Sequence, residues 1–406
     1  MSRIVVTGIG MINAVGLDKE TSFKNIIEGK TGIKKISSFD ASNFSVQIAG
    51  EIVDFDPLEV MDKKEIKKAD RFIQLGLKAA KEAMEDAKLI GAEYDKTRFG
   101  VSAASGIGGL PAIEKNSVIL ETKGARRVSP FFIPSALVNM LGGFVSIEYG
   151  LQGPNTSSVT ACAAGTHAIT EAYKTLKAGM ADKILVVGAE AAICPIGIVG
   201  FANMKALSTR NDEPEKASRP FDKDRDGFIM GEGAGALVLE KYEDAVARGA
   251  KIYGEIVGIG ESGDANHITS PTLEGPMRAM KMAWDMAGNP KIDYINAHGT
   301  STPTNDKNET AAIKTLFGDN VPLVSSTKGA TGHCLGAAGA IEAVITLMAM
   351  DKGILPPTIN FVDGGEECDL DYIPNEARKK DVEYVMSNSF GFGGTNGVVI
   401  FRKLKA

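Results

Sequence analysis

The chain is poor in the residues that staple, anchor or charge a protein strongly. Its four cysteines are Cys162, Cys194, Cys334 and Cys368, and no two form a C-x-x-C pair. A chain of 406 residues has no need of disulfides to build a core. Four reduced thiols in a cytoplasmic setting are therefore expected. No long hydrophobic run is present either. The uncharged stretch 191–204 contains Pro195 and two glycines and is too short and broken to span a bilayer. The first residues, Met-Ser-Arg-Ile-Val-Val-Thr-Gly, read as a strand entering a turn and not as a signal peptide. Basic charge is in deficit, with 45 Lys+Arg against 51 Asp+Glu and a net charge of −6, which argues against nucleic-acid binding.

What remains is an ordinary globular composition, 44% hydrophobic and 24% charged, with many glycines. Single cores stop growing near ~250–300 residues, so two core units are expected. A division near residue 250 gives a first half, 1–250, and a smaller second half, 251–406. Strand-like runs at 4–6, 184–187, 236–239, 252–259 and 398–401 alternate with helix-like patterns at 69–87, 277–287, 309–317 and 336–351. The first strand is expected to end at Gly8-Ile9-Gly10, and 205–226 reads as a long polar loop. The alternation implies an α/β architecture with covered sheet faces.

Cys162 stands where a β-rich run gives way to a helix. Ala164, Ala168, Ala172 and Leu176 share a helical face, and Gly179 can end it. A buried cysteine is more often plain packing than a nucleophile. At a helix N-terminus, however, free N–H groups and the dipole favour a thiolate, so a lowered pKa is expected, with the same N–H groups open to an oxyanion. Of four histidines, two lie in glycine-flanked settings, Asn296-Ala297-His298-Gly299-Thr300 and Thr331-Gly332-His333-Cys334. Their 35-residue spacing fits no short zinc motif. Lys328, five residues before His333, could place a positive charge nearby.

Several motifs fail. Asp222-Lys223-Asp224-Arg225-Asp226-Gly227 starts like a calcium loop but has Gly233 where the closing acid belongs. Gly8-Ile9-Gly10 has Asn13 where a dinucleotide fingerprint needs Gly, and Gly231-Glu232-Gly233-Ala234-Gly235-Ala236 runs into a strand. Gly29-Lys30-Thr31 lacks the leading Gly of a phosphate loop. The basic segment 63–71 puts Lys64, Lys67, Lys68 and Arg71 on one face if it is helical. Such a face is often only solvated. In an acidic protein it could also steer an acidic partner. Arg126, Arg127 and Lys205 are candidates for the same patch. Near the end, Asn388-Ser389-Phe390-Gly391-Phe392-Gly393-Gly394-Thr395-Asn396 suggests a mobile loop whose two Phe could gate a pocket.

Taken together, Thr160-Ala161-Cys162, Asn296 to Pro303, Lys328-Gly329-Ala330-Thr331-Gly332-His333 and Phe390 to Asn396 resemble the β-ketoacyl-[acyl-carrier-protein] synthases, the condensing enzymes of fatty-acid synthesis. The resemblance covers essentially the whole chain. Ala104 to Gly109 and Phe201 to Ser208 look like the type II branch, with Ile107 where that branch has an Ile lining the acyl pocket. The resemblance implies a thiolase-like fold, two pseudo-twofold-related α/β halves in a five-layered α-β-α-β-α arrangement, and a homodimer. It implies that Cys162 carries the acyl group and that His298 and His333 stabilise the enolate of a decarboxylating malonyl thioester. The amides of Cys162 and Phe392 would hold the oxyanion. Lys328 would orient the His333 region and pair with Glu342. Phe201 joins Ile107 at the acyl pocket, while Thr300, Thr302, Thr269 and Ser270 would meet a phosphopantetheine arm. Lys64, Lys67, Lys68, Arg126, Arg127 and Lys205 would dock acyl carrier protein. No cofactor is implied. A monovalent cation near Asn296, Ala297, Glu342, Ser387 and Asn388 occurs in some relatives. Cys334 stands where Ser or Leu is usual, and Lys205 where Arg is usual, which loses the guanidinium fork. The alternatives are a polyketide-type ketosynthase, a non-catalytic chain-length partner subunit, which would lack the nucleophile, and a cysteine hydrolase.

Overall fold

The computed structural model describes residues 2–404. Two sets of five strands follow the same plan. The first set is β1 (Ile4–Asn13), β2 (Phe99–Ala104), β3 (Asn155–Ser158), β4 (Lys183–Glu190) and β5 (Gly233–Lys241). The second is β6 (Gly254–Gly263), β7 (Tyr294–Asn296), β8 (Leu323–Ser325), β9 (Tyr384–Gly391) and β10 (Thr395–Arg402). From the centre outward the orders are β1-β5-β4-β2-β3 and β6-β10-β9-β7-β8, the same sequence of first, fifth, fourth, second and third strand. The pairing sense repeats as well, antiparallel for the two inner pairs and parallel for the two outer pairs. Among the described residues the sets join where Ile4–Val6 pairs antiparallel with Gly254–Ile256.

Five helices make the layers: α1 (Arg71–Asp86), α2 (Ala164–Lys177), α3 (Glu274–Met286), α4 (Pro303–Phe317) and α5 (Ala338–Lys352). α1 covers the outer face of the first set, and α3 with α4 covers the outer face of the second. α2 and α5 lie between the sheets and pack on both. This is the five-layered thiolase-like arrangement expected. Strand side chains alternate accordingly. Ile184 and Val186 face the central core, while Leu185, Val187 and Ala189 face α1. Val399 and Phe401 face the centre, while Val398 and Ile400 face α3. α5, an almost unbroken apolar sequence, is buried along nearly its whole length because sheet or helix lies on every side of it.

Gly8 and Gly10 do not end the first strand, as the sequence suggests. β1 runs through them to Asn13, with a bulge between Val6 and Gly8. They are glycines because α1 lies directly on them. A Cβ at Gly8 would collide with Ala83 O, and one at Gly10 with Ala79 O. The second set repeats the device with Gly258 against Ala283 O and Gly260 against Ala279 O. The stretch 205–226 is mainly irregular, with a single helical turn at Pro214–Ala217.

Candidate active site

β3 ends at Ser158, and the chain enters α2 through a 3-10 turn, Ala161–Ala163. Ala161 carries a positive φ of 49°, a costly conformation for a residue with a Cβ. It presents Cys162 at the start of α2. The second half repeats this elbow: Leu335 has φ 45° and opens the 3-10 turn Leu335–Ala337 ahead of α5. Gly336 therefore stands where Cys162 stands in the first half. The Cys162 thiol is 8% exposed and lines a cavity of about 310 Å³. Its own N–H and that of Phe392 both act on the sulfur. Gly391 makes this approach possible, since a Cβ there would stand 2.8 Å from Thr160 O and 3.1 Å from Ala163 N.

The expected low thiol pKa is not found. Burial pushes the Cys162 thiol up to about 12, the nearby Glu190 charge adds to the rise, and Lys328 and the two N–H groups oppose it. Desolvation outweighs the helix start, so the thiol rests protonated.

His298 and His333 line the same cavity, their ring centroids 5.4 Å apart and nearly perpendicular. Both are buried. Desolvation, then the Lys328 charge, pushes each imidazole well below its ordinary range, so both are neutral. Nδ1 of each ring is buried without a hydrogen-bond partner among the described residues. The backbone holds them in place. Glu309 accepts from the N–H of His298 at 2.9 Å and of Gly299 at 2.8 Å. The N–H of His333 donates to Ile229 O at 2.7 Å. Phe390 is itself buried and packs on His298 at 5.7 Å. Of the two Phe considered as a gate, only half-buried Phe392 is partly open to solvent, its ring 6.3 Å from Phe201.

Lys328 is buried and pairs with Glu342 of α5. Burial, against the pull of Lys328, raises Glu342 to about 7. Asn296 and Ser387 are register partners on β7 and β9. Among the described residues, four buried oxygens here have no hydrogen-bond partner: Asn296 Oδ1, Glu342 Oε2, Ser387 Oγ and Asn388 Oδ1. Among the described residues no group of three His, Cys, Asp or Glu side chains suited to a metal occurs.

Thr300, Thr302, Thr269, Ser270, Phe201 and Lys205 also line the cavity, and the hydroxyls of Thr300 and Thr302 are 2.9 Å apart. Ile107 does not line it. Ile107 packs instead in the apolar cluster beyond, with Cys162, Ile193, Ile198 and Leu335. Lys64 and Lys67 are exposed, as are Arg126 and Arg127. Lys68 Nζ lies 5.6 Å from the Phe131 ring, which brings 63–68 toward 125–131. Arg71 does not share their face. The helix Lys63–Ile66 stops, α1 starts afresh at Arg71, and Arg71 turns inward to Glu232 and Ile52 O.

Two residues escaped the sequence reading. Glu190, at the end of β4 and fully buried, accepts from Ser105 Oγ and from the N–H groups of Gly106, Ile107, Gly108 and Gly336. It clamps the loop bearing Ile107 to the start of the second elbow. His167, in the first turn of α2, bonds through both ring nitrogens. Neither carries a local signal, because their partners are far away in sequence.

Known proteins resemble this chain over its whole length. Residues 1–245 match the model for the β-ketoacyl synthase N-terminal domain, and residues 253–362 the one for its C-terminal domain. The 3-oxoacyl-[acyl-carrier-protein] synthase 2 of Coxiella burnetii is 51% identical over 408 residues, covering 99% of each chain. That of Staphylococcus aureus strain COL is 49% identical over 410 residues, covering 100% of this chain and 99% of the relative. Among solved structures, a β-ketoacyl synthase from Burkholderia phymatum matches at 36% identity over the whole of both chains, with a TM-score of 0.94. A ketosynthase solved with a type II polyketide acyl-carrier protein and a hexaketide matches over the whole of both chains at 33% identity, with a TM-score of 0.91.

Proposed function

The chain belongs to the β-ketoacyl synthase family, and from that premise we propose how its residues work. The protein is a condensing acyltransferase of fatty-acid elongation. It joins an acyl and a malonyl group, each thioester-linked to acyl carrier protein, to give 3-oxoacyl-carrier protein, CO2 and free carrier protein. One observation carries the residue assignments: a thiol lying against two amides shares a cavity with two neutral imidazoles.

The Cys162 sulfur attacks the acyl thioester carbonyl. The oxyanion is held by the N–H groups of Cys162 and Phe392, and collapse expels the carrier thiolate, which takes the proton that Cys162 gave up. Malonyl thioester then enters. As its C–CO2 bond breaks, the electron pair flows into the thioester oxygen, which accepts from one ring N–H of His298 and one of His333. Neutral donors suit this step, because a charged imidazolium would invite proton transfer to the carbanion. The enolate carbon attacks the acyl-Cys162 carbonyl, a C–C bond forms, and the sulfur leaves. Lys328 supplies positive potential to all three residues and is held by Glu342. Thr300, Thr302, Thr269 and Ser270 line the path of the phosphopantetheine arm. Lys64, Lys67, Lys68, Arg126, Arg127 and Lys205 dock the acidic carrier. Phe201 borders the acyl pocket from the cavity and Ile107 from the apolar cluster beyond it. The four partnerless oxygens at Asn296, Glu342, Ser387 and Asn388, next to Ala297, would suit a hard monovalent cation.

The chain works as a homodimer in the cytoplasm. Exposed Val118, Leu120, Ile133 and Leu137, together with the open edge of β3, support the dimer. No described helix is long and apolar enough to cross a membrane.

Cys162→Ala should abolish both acyl-enzyme formation, read by intact mass, and condensation. His298→Ala or His333→Ala should reduce malonyl decarboxylation far more than Cys162 acylation. Equal loss of both half-reactions contradicts the assigned roles. Product analysis with carrier-bound chains of graded length separates fatty-acid elongation from polyketide extension.

A further inference from the structure

The two amides that face the Cys162 sulfur come from opposite ends of the chain, one at the start of α2 and one in the hairpin between β9 and β10. Their separation decides whether both can reach one oxyanion, and no covalent link fixes it. His167 spans the gap. Its Nε2 lies 3.1 Å from Asn396 O, and a carbonyl can only accept, so Nε2 carries the proton. Nδ1 must then accept, and Thr160 Oγ1 donates to it at 2.6 Å. Thr160 precedes Cys162 by two residues, and Asn396 follows Phe392 by four. A second strut runs parallel, with Thr395 Oγ1 donating to Thr160 O at 3.0 Å. The sequence makes room for the ring at Gly397, where a Cβ would stand 3.1 Å from Cδ2 and 3.2 Å from Nε2.

We propose that His167 is a positioning residue that sets the spacing of the Cys162 and Phe392 amides, and so governs the steps that build an oxyanion on the acyl carbonyl. It rests on the thioester chemistry given above for Cys162. His167 does not line the cavity, so it acts through Thr160 and Asn396. Malonyl decarboxylation gathers its charge at His298 and His333 instead, so it is independent of His167.

The test uses the full-length protein with acyl- and malonyl-carrier protein. In His167→Phe, kcat for Cys162 acylation should fall about 10–100-fold, a partial loss of an oxyanion-hole donor. KM for the acyl donor and the rate of malonyl decarboxylation should stay within about twofold, a margin set by a few tenths of a kcal/mol. His167→Gln, which can keep one of the two bonds, should recover part of the loss. Thr160→Val should show a smaller loss of the same kind, and the double variant should be no worse than His167→Phe alone, as expected for two residues of one strut. Equal loss in both half-reactions, additive losses, or no loss at all would overturn the proposal. A lowered melting temperature with unchanged acylation would leave His167 a purely structural residue and overturn it too. Failure of the unaltered protein to form an acyl-Cys162 adduct would instead sink the underlying reading of the site.

Discussion

Gly165 and Gly339 meet across the centre of the molecule in a reciprocal contact. A Cβ on Gly165 would stand 2.6 Å from Ala340 N, and one on Gly339 would stand 2.6 Å from Thr166 N. Each glycine thus admits the backbone of the other's neighbour. The two central helices cross at the pseudo-twofold axis with nothing between them, which brings the two elbows, and hence Cys162 and the His333 segment, to one cavity.

The two half-reactions should respond differently to pH. The Cys162 thiol is an acid pushed up to about 12, so it is neutral below that and ionises as pH rises. Between pH 6 and 9 the thiolate fraction, and with it the acylation rate, should grow about tenfold per unit. The imidazoles are held well below their ordinary range and stay neutral throughout that interval. Decarboxylation should therefore vary far less than acylation, its main change coming as Glu342, raised to about 7, gains a proton below that pH. Stopped-flow rates with each carrier substrate would check this, and an acylation rate that falls as pH rises would refute it.

Lys328 and Glu342 form a buried ion pair. Removing the carboxylate, as in Glu342→Ala, strands the buried Lys328 charge and should cost about 3–5 kcal/mol of unfolding free energy. Lys328→Met with Glu342→Leu should recover most of that stability without restoring transfer, because the positive potential on Cys162, His298 and His333 is gone. Denaturant titration and activity, measured side by side, check both halves of the statement.

The glycines beneath the outer helices should be intolerant of any side chain. Gly260→Ala drives a Cβ into Ala279 O, and the shift of α3 should cost roughly 1–3 kcal/mol or more. Gly263, on the same strand, has nothing near its Cβ position, so Gly263→Ala should change stability little. Thermal unfolding of the pair gives the contrast directly.

Charge reversal at the exposed patch should act on encounter and not on chemistry. Lys64→Glu with Arg127→Glu should raise KM for carrier-bound substrates several-fold and leave kcat near its original value. The effect should shrink as salt is added, since exposed charges are screened over about 10 Å at 0.1 M. Unchanged KM would move the docking surface elsewhere.

The shared cavity of Cys162, His298 and His333 was legible in the sequence because each member sits in a context that packing does not require: a thiol at a helix start and two imidazoles beside glycines. The strand and helix periods were legible for the same local reason. The glycines of β1 were misread as a turn because only the helix lying on them, some seventy residues later, reveals their purpose. Arg71 was misplaced because a four-residue helix breaks before it, which the continuous run of Lys and Glu conceals. The thiol's acidity was misjudged because burial is a property of the assembled cavity. Glu190 and His167 act only through partners brought near by folding, so no window on the sequence could show them.

The second elbow has a consequence for the order of events. At Gly336 a Cβ would run into Gly106 N, and the amide there already holds Glu190. The duplicate doorway is thus bricked up from within, and no single replacement could install a rival attacker. Among the described residues Cys162, His298 and His333 share a single chamber. Donor and extender must take turns in it, the first carrier departing before the second arrives, which is the ping-pong regime that steady-state lines of constant slope would reveal.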